Sequence, residues 1–488
     1  MKKFLGLSVV AAMAATSVSA MSNAQLAAKI NDLENELTTV KKQLKKQDKK
    51  INKVKAHDAT DNIKWGVDLR TAIDSINYDM ADGSSKDNSA LMSLRLYLNM
   101  AFNPDSHNIF KGQLAMNKAF GADFGRMSKK TGQMTNRAFG LGSMFDWTSN
   151  EALSDNTLKV KEAYWLYLGD SLFGSDLPWT FSIGRRPSIG GFLVNFREDD
   201  SPKSPLGHNI NVEFDGLSTM VKLGDATGVD GMSFKICVGR GATDAVPMFD
   251  MNGEPAYADD LGTSLDNIDL AGVIFVPYDD GQYKIMTNWF KAFNLPGMDS
   301  PMDPNAREGF HQYGDMQGAA ISMLVDGLTE DGYFADAKVF ASWAWSQTQP
   351  DDGNAMLGST DDESGTSYWF GALLPVTDDS TFGIEYNHGS KYWRSFTYGE
   401  DTMIGSKLAA RGDAYEAYYT YKINKALSAQ IRYTYIDYEY TGSNGFFGQA
   451  SGTPLKISDV KAGLYGDAIK SQVVEKAQDL RFYIRYRF

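Results

Sequence analysis

Gln478-Asp-Leu-Arg-Phe-Tyr-Ile-Arg-Tyr-Arg-Phe488 sorts its side chains alternately. Leu480, Phe482, Ile484, Tyr486 and Phe488 fall on one face of an extended chain, and Arg481, Tyr483, Arg485 and Arg487 on the other, because successive side chains of a strand point opposite ways. Large apolar groups against guanidiniums suit a strand with lipid on one side and water on the other. The pattern recurs upstream. Ile63, Trp65, Val67, Leu69, Thr71 and Ile73 alternate with Lys64, Gly66, Asp68, Arg70, Ala72 and Asp74, and Met92 to Phe102 alternates with Ser93, Arg95, Tyr97 and Asn99. Counting such runs to the end of the chain predicts sixteen strands.

Connection lengths point the same way. The intervals 103–107, 277–281 and 424–425 are short, whereas 121–157, 187–209, 241–266, 294–314, 347–365, 390–412 and 441–477 are long. Short turns on one side and long loops on the other are the topology of an antiparallel barrel with both chain ends on the short-turn side. The predicted fold is therefore an all-β transmembrane antiparallel barrel of about sixteen strands over 61–488, preceded by a short α-helical coiled coil. The terminal Phe488, with Tyr486 two residues earlier, resembles the C-terminal insertion signal of bacterial outer-membrane barrels, which implies the barrel-assembly machinery as a partner.

Met1-Lys-Lys, an apolar run from Phe4 to Ala15 and Val18-Ser19-Ala20 read as a secretory signal peptide over 1–20. Within 22–56, Leu26, Ile30, Leu33, Leu37, Val40, Leu44, Gln47, Ile51 and Val54 follow an unbroken heptad spacing, which predicts a periplasmic coiled coil and hence an oligomer. The core positions do not choose between two and three strands; resemblance of the barrel to trimeric porins points to a homotrimer. Charge is uneven. The signal carries +2, and 22–56 carries +5 from nine Lys against four acids. Of the formal −13, the part from His57 onward is thus −20. The basic stalk suits anionic headgroups or peptidoglycan, and the acidic body gives no reason to expect nucleic acid. A lone Cys237 and five scattered histidines offer no metal-ligand spacing, so neither metal nor cofactor is expected.

Strand parity then assigns the inward face. Eleven basic residues against five acidic ones point inward, including Lys64, Arg70, Arg95, Arg186, Arg432, Arg481, Arg485 and Arg487, with Asp336 among the acids. Guanidiniums lining a water-filled pore favour anions; the competing reading is that they pair with acidic loops folded into the lumen. Ala163-Tyr-Trp-Leu-Tyr-Leu168 followed by Phe181-Ser-Ile-Gly-Arg-Arg-Pro187 resembles a strand–turn–strand segment of several porin families, which implies that Arg186 lies near the constriction. With Phe214-Asp-Gly216, the whole layout is similar to an uncharacterised domain-of-unknown-function family of Gram-negative outer-membrane proteins.

His388 and Ser390 share a spacing that resembles outer-membrane phospholipase. The outward residues of the following strand, Tyr415, Ala417, Tyr419 and Tyr421, supply no group to orient the base. No enzyme is expected. The sequence reads as an outer-membrane porin among lipids and lipopolysaccharide, passing small hydrated solutes through a constriction formed by loop 121–157 or 187–209. The alternative is an envelope tether or adhesin with a closed lumen.

Overall fold

A computed structural model of the chain describes residues 63–122, 153, 156–187, 190–201, 203–243, 245, 266–299, 306–307, 310–397, 403–443, 445, 447–448 and 452–488, together with seven helical positions between Lys29 and Lys45. Two compact units divide at Asn62 and Ile63. In the first, Leu33, Leu37 and Val40 are helical and exposed within the single chain. The signal peptide and Leu26, Ile30, Leu44, Ile51 and Val54 lie outside the described residues.

The second unit is a closed barrel of sixteen strands: β1 (Lys64–Met80), β2 (Ser85–Phe102), β3 (Asn108–Ala119), β4 (Lys159–Gly169), β5 (Trp179–Pro187), β9 (Glu213–Lys222), β10 (Ser233–Ala242), β11 (Ile268–Asp279), β12 (Tyr283–Gly297), β13 (His311–Asp326), β14 (Lys338–Pro350), β15 (Ser364–Thr377), β16 (Ser380–Gly389), β18 (Gly412–Lys422), β19 (Leu427–Tyr438) and β20 (Val474–Arg487). Four short strands lie in the long loops: β6 (Gly191–Phe192), β7 (Lys203–Leu206), β8 (Ile210–Asn211) and β17 (Phe396–Thr397). Every barrel neighbour is antiparallel, and β20 closes the ring on β1 from Asp68↔Arg487 to Met80↔Val474. The terminal residue completes this seam: Phe488 N–H donates to Val67 O at 2.9 Å, and Val67 N–H donates back at 2.8 Å. Closure leaves no edge strand with unpaired backbone, which a hydrocarbon environment demands. Among the described residues no helix is long and apolar enough to cross a membrane.

The alternation seen in the terminal segment is sharp. Leu480, Phe482, Ile484 and Tyr486 are 43–47% exposed on the outer surface, whereas Arg481 is 0% and Tyr483 2% exposed inside. The short turns are closed by aspartates. Asp105 Oδ1 accepts from the backbone N–H of His107 (2.8 Å) and Asn108 (2.7 Å), and Asp280 Oδ1 from Gln282 (2.9 Å) and Tyr283 (2.6 Å). Such Asx geometry favours a tight reversal, and the bonds accepted from Asn108 hold the Asp105 carboxyl below the usual range. Two expectations are corrected. β1 and β2 run well beyond their apolar stretches and meet at a turn over 81–84, where Asp82 Oδ1 takes the Ser84 N–H at 2.8 Å. Asp336 is not an inward strand residue, because it ends an exposed 3-10 turn that precedes β14.

The lumen is where this protein keeps its core. The described parts of two long loops fold inward: 190–212 between β5 and β9, and 390–411 between β16 and β18. These hairpin openings are eight strands apart in a ring of sixteen, so the segments enter from opposite walls. They meet through a parallel pairing of β8 with β17, Ile210↔Phe396 and Asn211↔Thr397, with Phe396 N–H donating to Asn209 O at 2.8 Å. On the β9–β15 side, the inner wall and these segments bury apolar groups. Phe214, Leu270, Phe290, Met316 and Phe396 pack in one cluster, and Phe192, Leu206, Phe340, Trp369, Trp393 and Leu408 in another. The β18–β20 and β1–β2 side buries charge instead.

Candidate lumenal site

Strand register sets like charges side by side on the inner wall. Arg70 stands opposite Arg95 on one side and Arg485 on the other, and Arg481 stands opposite Arg432. Like charges facing each other across strands are destabilising. An acid delivered by the inserted loop offsets them. Glu198 Oε1 accepts from Arg432 at 2.9 Å and from Arg197 at 3.3 Å, while its Oε2 lies 3.3 Å from Arg70 and 3.9 Å from Arg95. Asp68 accepts from Arg485 Nε at 2.8 Å and Asp74 from Arg481 at 2.5 Å. Gln430 and Arg485 also donate to the backbone carbonyls of Arg197 and Glu198.

The neighbouring wall inverts the arrangement. Glu385 and Glu416 are register partners, and Lys407 of the second inserted segment sits between them at 2.6 and 2.5 Å. Buried pairs of this kind add little net stability over apolar packing, yet removing one member is costly. They fix where each loop must dock.

Of the residues expected to line the pore, Arg70, Arg95, Arg432, Arg481 and Arg485 are therefore buried inside this lattice. Arg487 lies half-exposed with Asp200 at 2.8 Å and Asp199 at 3.4 Å. Lys64 is exposed at the start of β1. The arrangement is that of the ion-paired lumen, not of free guanidiniums along open water. Of the two loops proposed to shape a constriction, 187–209 is the one whose described part fills the lumen; 121–157 lies almost wholly outside the described residues.

A hydrogen-bonded relay ties the two segments to the opposite wall. His208 is fully buried; its Nδ1 lies 2.8 Å from Ser342 Oγ and its Nε2 2.9 Å from Ser367 Oγ. Ser322 donates to Ser342 (2.7 Å), Ser367 donates to Asn387 (3.0 Å), and Asn387 donates to Lys407 O (2.9 Å). With Ser367 already donating onward, Nε2 carries the proton and Nδ1 accepts from Ser342. Burial drives the imidazole down to about 3, so it is neutral. Arg411 anchors the second segment to the 439–473 loop through Thr441 O (2.8 Å) and Gly452 O (3.1 Å). Burial, then the nearby Arg394, lowers it to about 9.

The outer face corrects one expectation. His388 does have an orienting acid: Asp413, its register partner, lies 2.9 Å from Nδ1. Position 413 lies two residues before Tyr415 on the same outward face of the strand. Ser390 Oγ, however, accepts from the Thr366 backbone N–H at 2.9 Å, and no hydrogen bond joins it to His388. The nucleophile is thus not engaged by its base.

Arg186 stands apart from the lattice. Its guanidinium lies 4.4 Å over the Tyr164 ring and borders a cavity of about 40 Å³ with Lys235, Cys237 and Phe290. Two larger cavities flank the inserted segment 194–201. One, of about 280 Å³, is lined by Arg95, Lys161, Glu162, Glu198 and Lys203; the other, of about 380 Å³, by Phe196, Asp199, Asp279, Lys284 and Lys338. Asp200 borders both.

A family described as a protein of unknown function (DUF3373) matches residues 85–488. No curated protein matches. Among solved structures, the fold is similar to an anion-selective porin from Comamonas acidovorans (10% identity, 88% of this chain and 99% of that one, TM-score 0.49). It is also similar to the trimer form of the Vibrio cholerae outer-membrane protein OmpT (10%, 88% and 99%, 0.44) and to Pseudomonas putida OprB (12%, 87% and 94%, 0.45).

Proposed function

This chain belongs to the DUF3373 family of unknown function, and we propose that it is an outer-membrane channel passing small hydrated solutes by passive diffusion beside the inserted segment 194–201. The observation that carries this is the pair of cavities of about 280 and 380 Å³, both bordered by charged side chains and sharing Asp200 in their linings, within a closed barrel. The larger-scale lumen is filled, so the passage is narrow and conductance low compared with an open barrel of the same strand number. Its lining is mixed: Arg95, Lys161 and Lys203 lean toward anions, while Asp199, Asp279 and Asp326 oppose them. Anion preference is correspondingly modest, and Arg186 belongs to a separate cavity.

In this reading the long loops face the outside of the cell, lipid and lipopolysaccharide surround the apolar belt, and residues 1–20 are removed on export. The heptads of 22–56 assemble a homotrimer in the periplasm, where the lysines meet peptidoglycan. The chemistry is non-enzymatic. A second reading, a tether or adhesin with a closed lumen, is favoured by one observation: the two inserted segments clasp across the lumen through Phe396 and Ile210. Single-channel recording of the purified protein in planar bilayers under a salt gradient separates the two. Small stepwise openings, in threes, with weak anion selectivity support the channel. A correctly folded barrel that never conducts overturns it in favour of the tether.

A further inference from the structure

The lumenal cations differ in what they meet, and Arg411 donates to backbone carbonyls. Those of the lattice each meet a carboxylate; Arg186 and Lys235 do not. Among the described residues, Arg186 rests on the Tyr164 ring at 4.4 Å, and Lys235 donates to Ser204 Oγ at 3.0 Å. Both border the cavity of about 40 Å³, and their charges act on one another across it. Two partly buried cations bordering one space, with a ring face and a hydroxyl as their described contacts, repel each other and meet no carboxylate among the described residues. The rest of the lining is mostly apolar, with Phe214, Leu270, Ile274 and Phe290 outnumbering the polar Ser218 and Asn288, and Ser204 and Pro205 of the inserted segment border it. On β9 the register partners of Arg186 and Lys235 are Phe214 and Met220, so the two side chains reach this space from different levels of the wall.

We propose that this cavity is a binding site for a short-chain monocarboxylate, its carboxylate between Arg186 and Lys235 and its alkyl end against Phe214 and Phe290. Size and lining select the ligand. About 40 Å³ is room for roughly three water-sized groups, which fits a two- or three-carbon acid and not a fatty acid or sugar. The apolar lining rewards an alkyl end, which chloride or nitrate lacks. A planar guanidinium beside an ammonium matches a carboxylate with charge-assisted bonds. As a solute site in a conducting lumen the assignment rests on the channel reading; as a binding site it stands alone.

The test is titration of the full-length detergent-purified protein with propionate at pH 7.5 and constant ionic strength, followed by saturation-transfer NMR on the propionate methyl. Saturable binding is expected. Arg186→Gln and Lys235→Met should each weaken it about tenfold or more, as expected for loss of a charge-assisted bond. Cys237→Ile, which narrows the apolar end without touching charge, should weaken it as well. Heat-modifiable migration confirms that each variant is folded, and Lys235→Arg should retain binding. Absence of saturation, competition by chloride as strong as by acetate, or unchanged affinity in folded Arg186→Gln and Cys237→Ile would each overturn the site. Bilayer recording distinguishes the two proposals: conduction without propionate binding leaves the channel and removes the site, and binding without conduction does the reverse.

Discussion

Glu198 and Arg432, 234 residues apart in sequence, meet at 2.9 Å inside the barrel. One carboxylate on an inserted loop thereby settles a wall on which register alone would leave Arg70, Arg95 and Arg485 facing each other. Its loss leaves buried guanidiniums short of countercharge.

Glu198→Gln is therefore expected to destabilise the folded barrel by about 3–5 kcal/mol and to raise anion selectivity. The thermal midpoint of the unheated, fast-migrating form on gels reads the first, and reversal potential reads the second. Pairing it with Arg432→Gln should recover part of the lost stability; a strictly additive double variant would refute the coupling.

Lys407→Met should act with the opposite sign of charge. It leaves Glu385 and Glu416 facing each other without the ammonium at 2.6 and 2.5 Å, so a loss of about 3–5 kcal/mol is expected. Protease sensitivity should rise within 390–411. The Glu385→Gln, Glu416→Gln background should tolerate the same change, measured as recovery of the midpoint.

His208 makes docking of the first segment pH-dependent. Its folded value lies near 3 against an ordinary 6.5, so the unfolded or undocked state binds the extra proton. The stabilisation is complete above about pH 6.5 and falls as pH drops toward 3, by about 1.4 kcal/mol per unit. Between pH 6.5 and 5, above the ordinary carboxylate range, the unfolding midpoint should decline; in His208→Gln that slope should flatten. An unchanged slope would remove His208 as its source.

The heptads make a prediction of their own. Leu33, Leu37 and Val40 are exposed within one chain, and burying such positions is what coiled-coil partners do. Replacing Leu33, Leu37 and Leu44 by Asp should reduce the native mass of the detergent-solubilised protein to that of one chain, with the barrel still heat-modifiable.

Much of the barrel was legible because lipid enforces a period of two on each strand, as in Leu480 to Phe488, and because the topology forces loop lengths to alternate. The inward faces of Arg70, Arg432, Arg481 and Arg485 follow from the same parity. Their partners do not. Which carboxylate reaches Arg70 depends on the path of a loop whose only local signal is Phe192-Leu-Val194, an apolar triplet out of place in a segment bathed by water. Register was equally hidden: nothing in the residues near Glu385 says that Glu416 will face it, and a one-residue slip would separate them. Lys407, His208 and Arg411 carry no motif at all, so only the folded path of their loops gives them a role.

The clasp between Ile210–Asn211 and Phe396–Thr397 has a mechanical consequence. It runs across the diameter, joined at each end to a hairpin, and so behaves as a tie-beam that resists flattening of the barrel's cross-section. Neither loop can swing clear alone without breaking its hydrogen bonds to the other. Displacement of either segment on this architecture is then a concerted movement of both, and this short pairing joins the buried ion pairs in holding the lumen's shape.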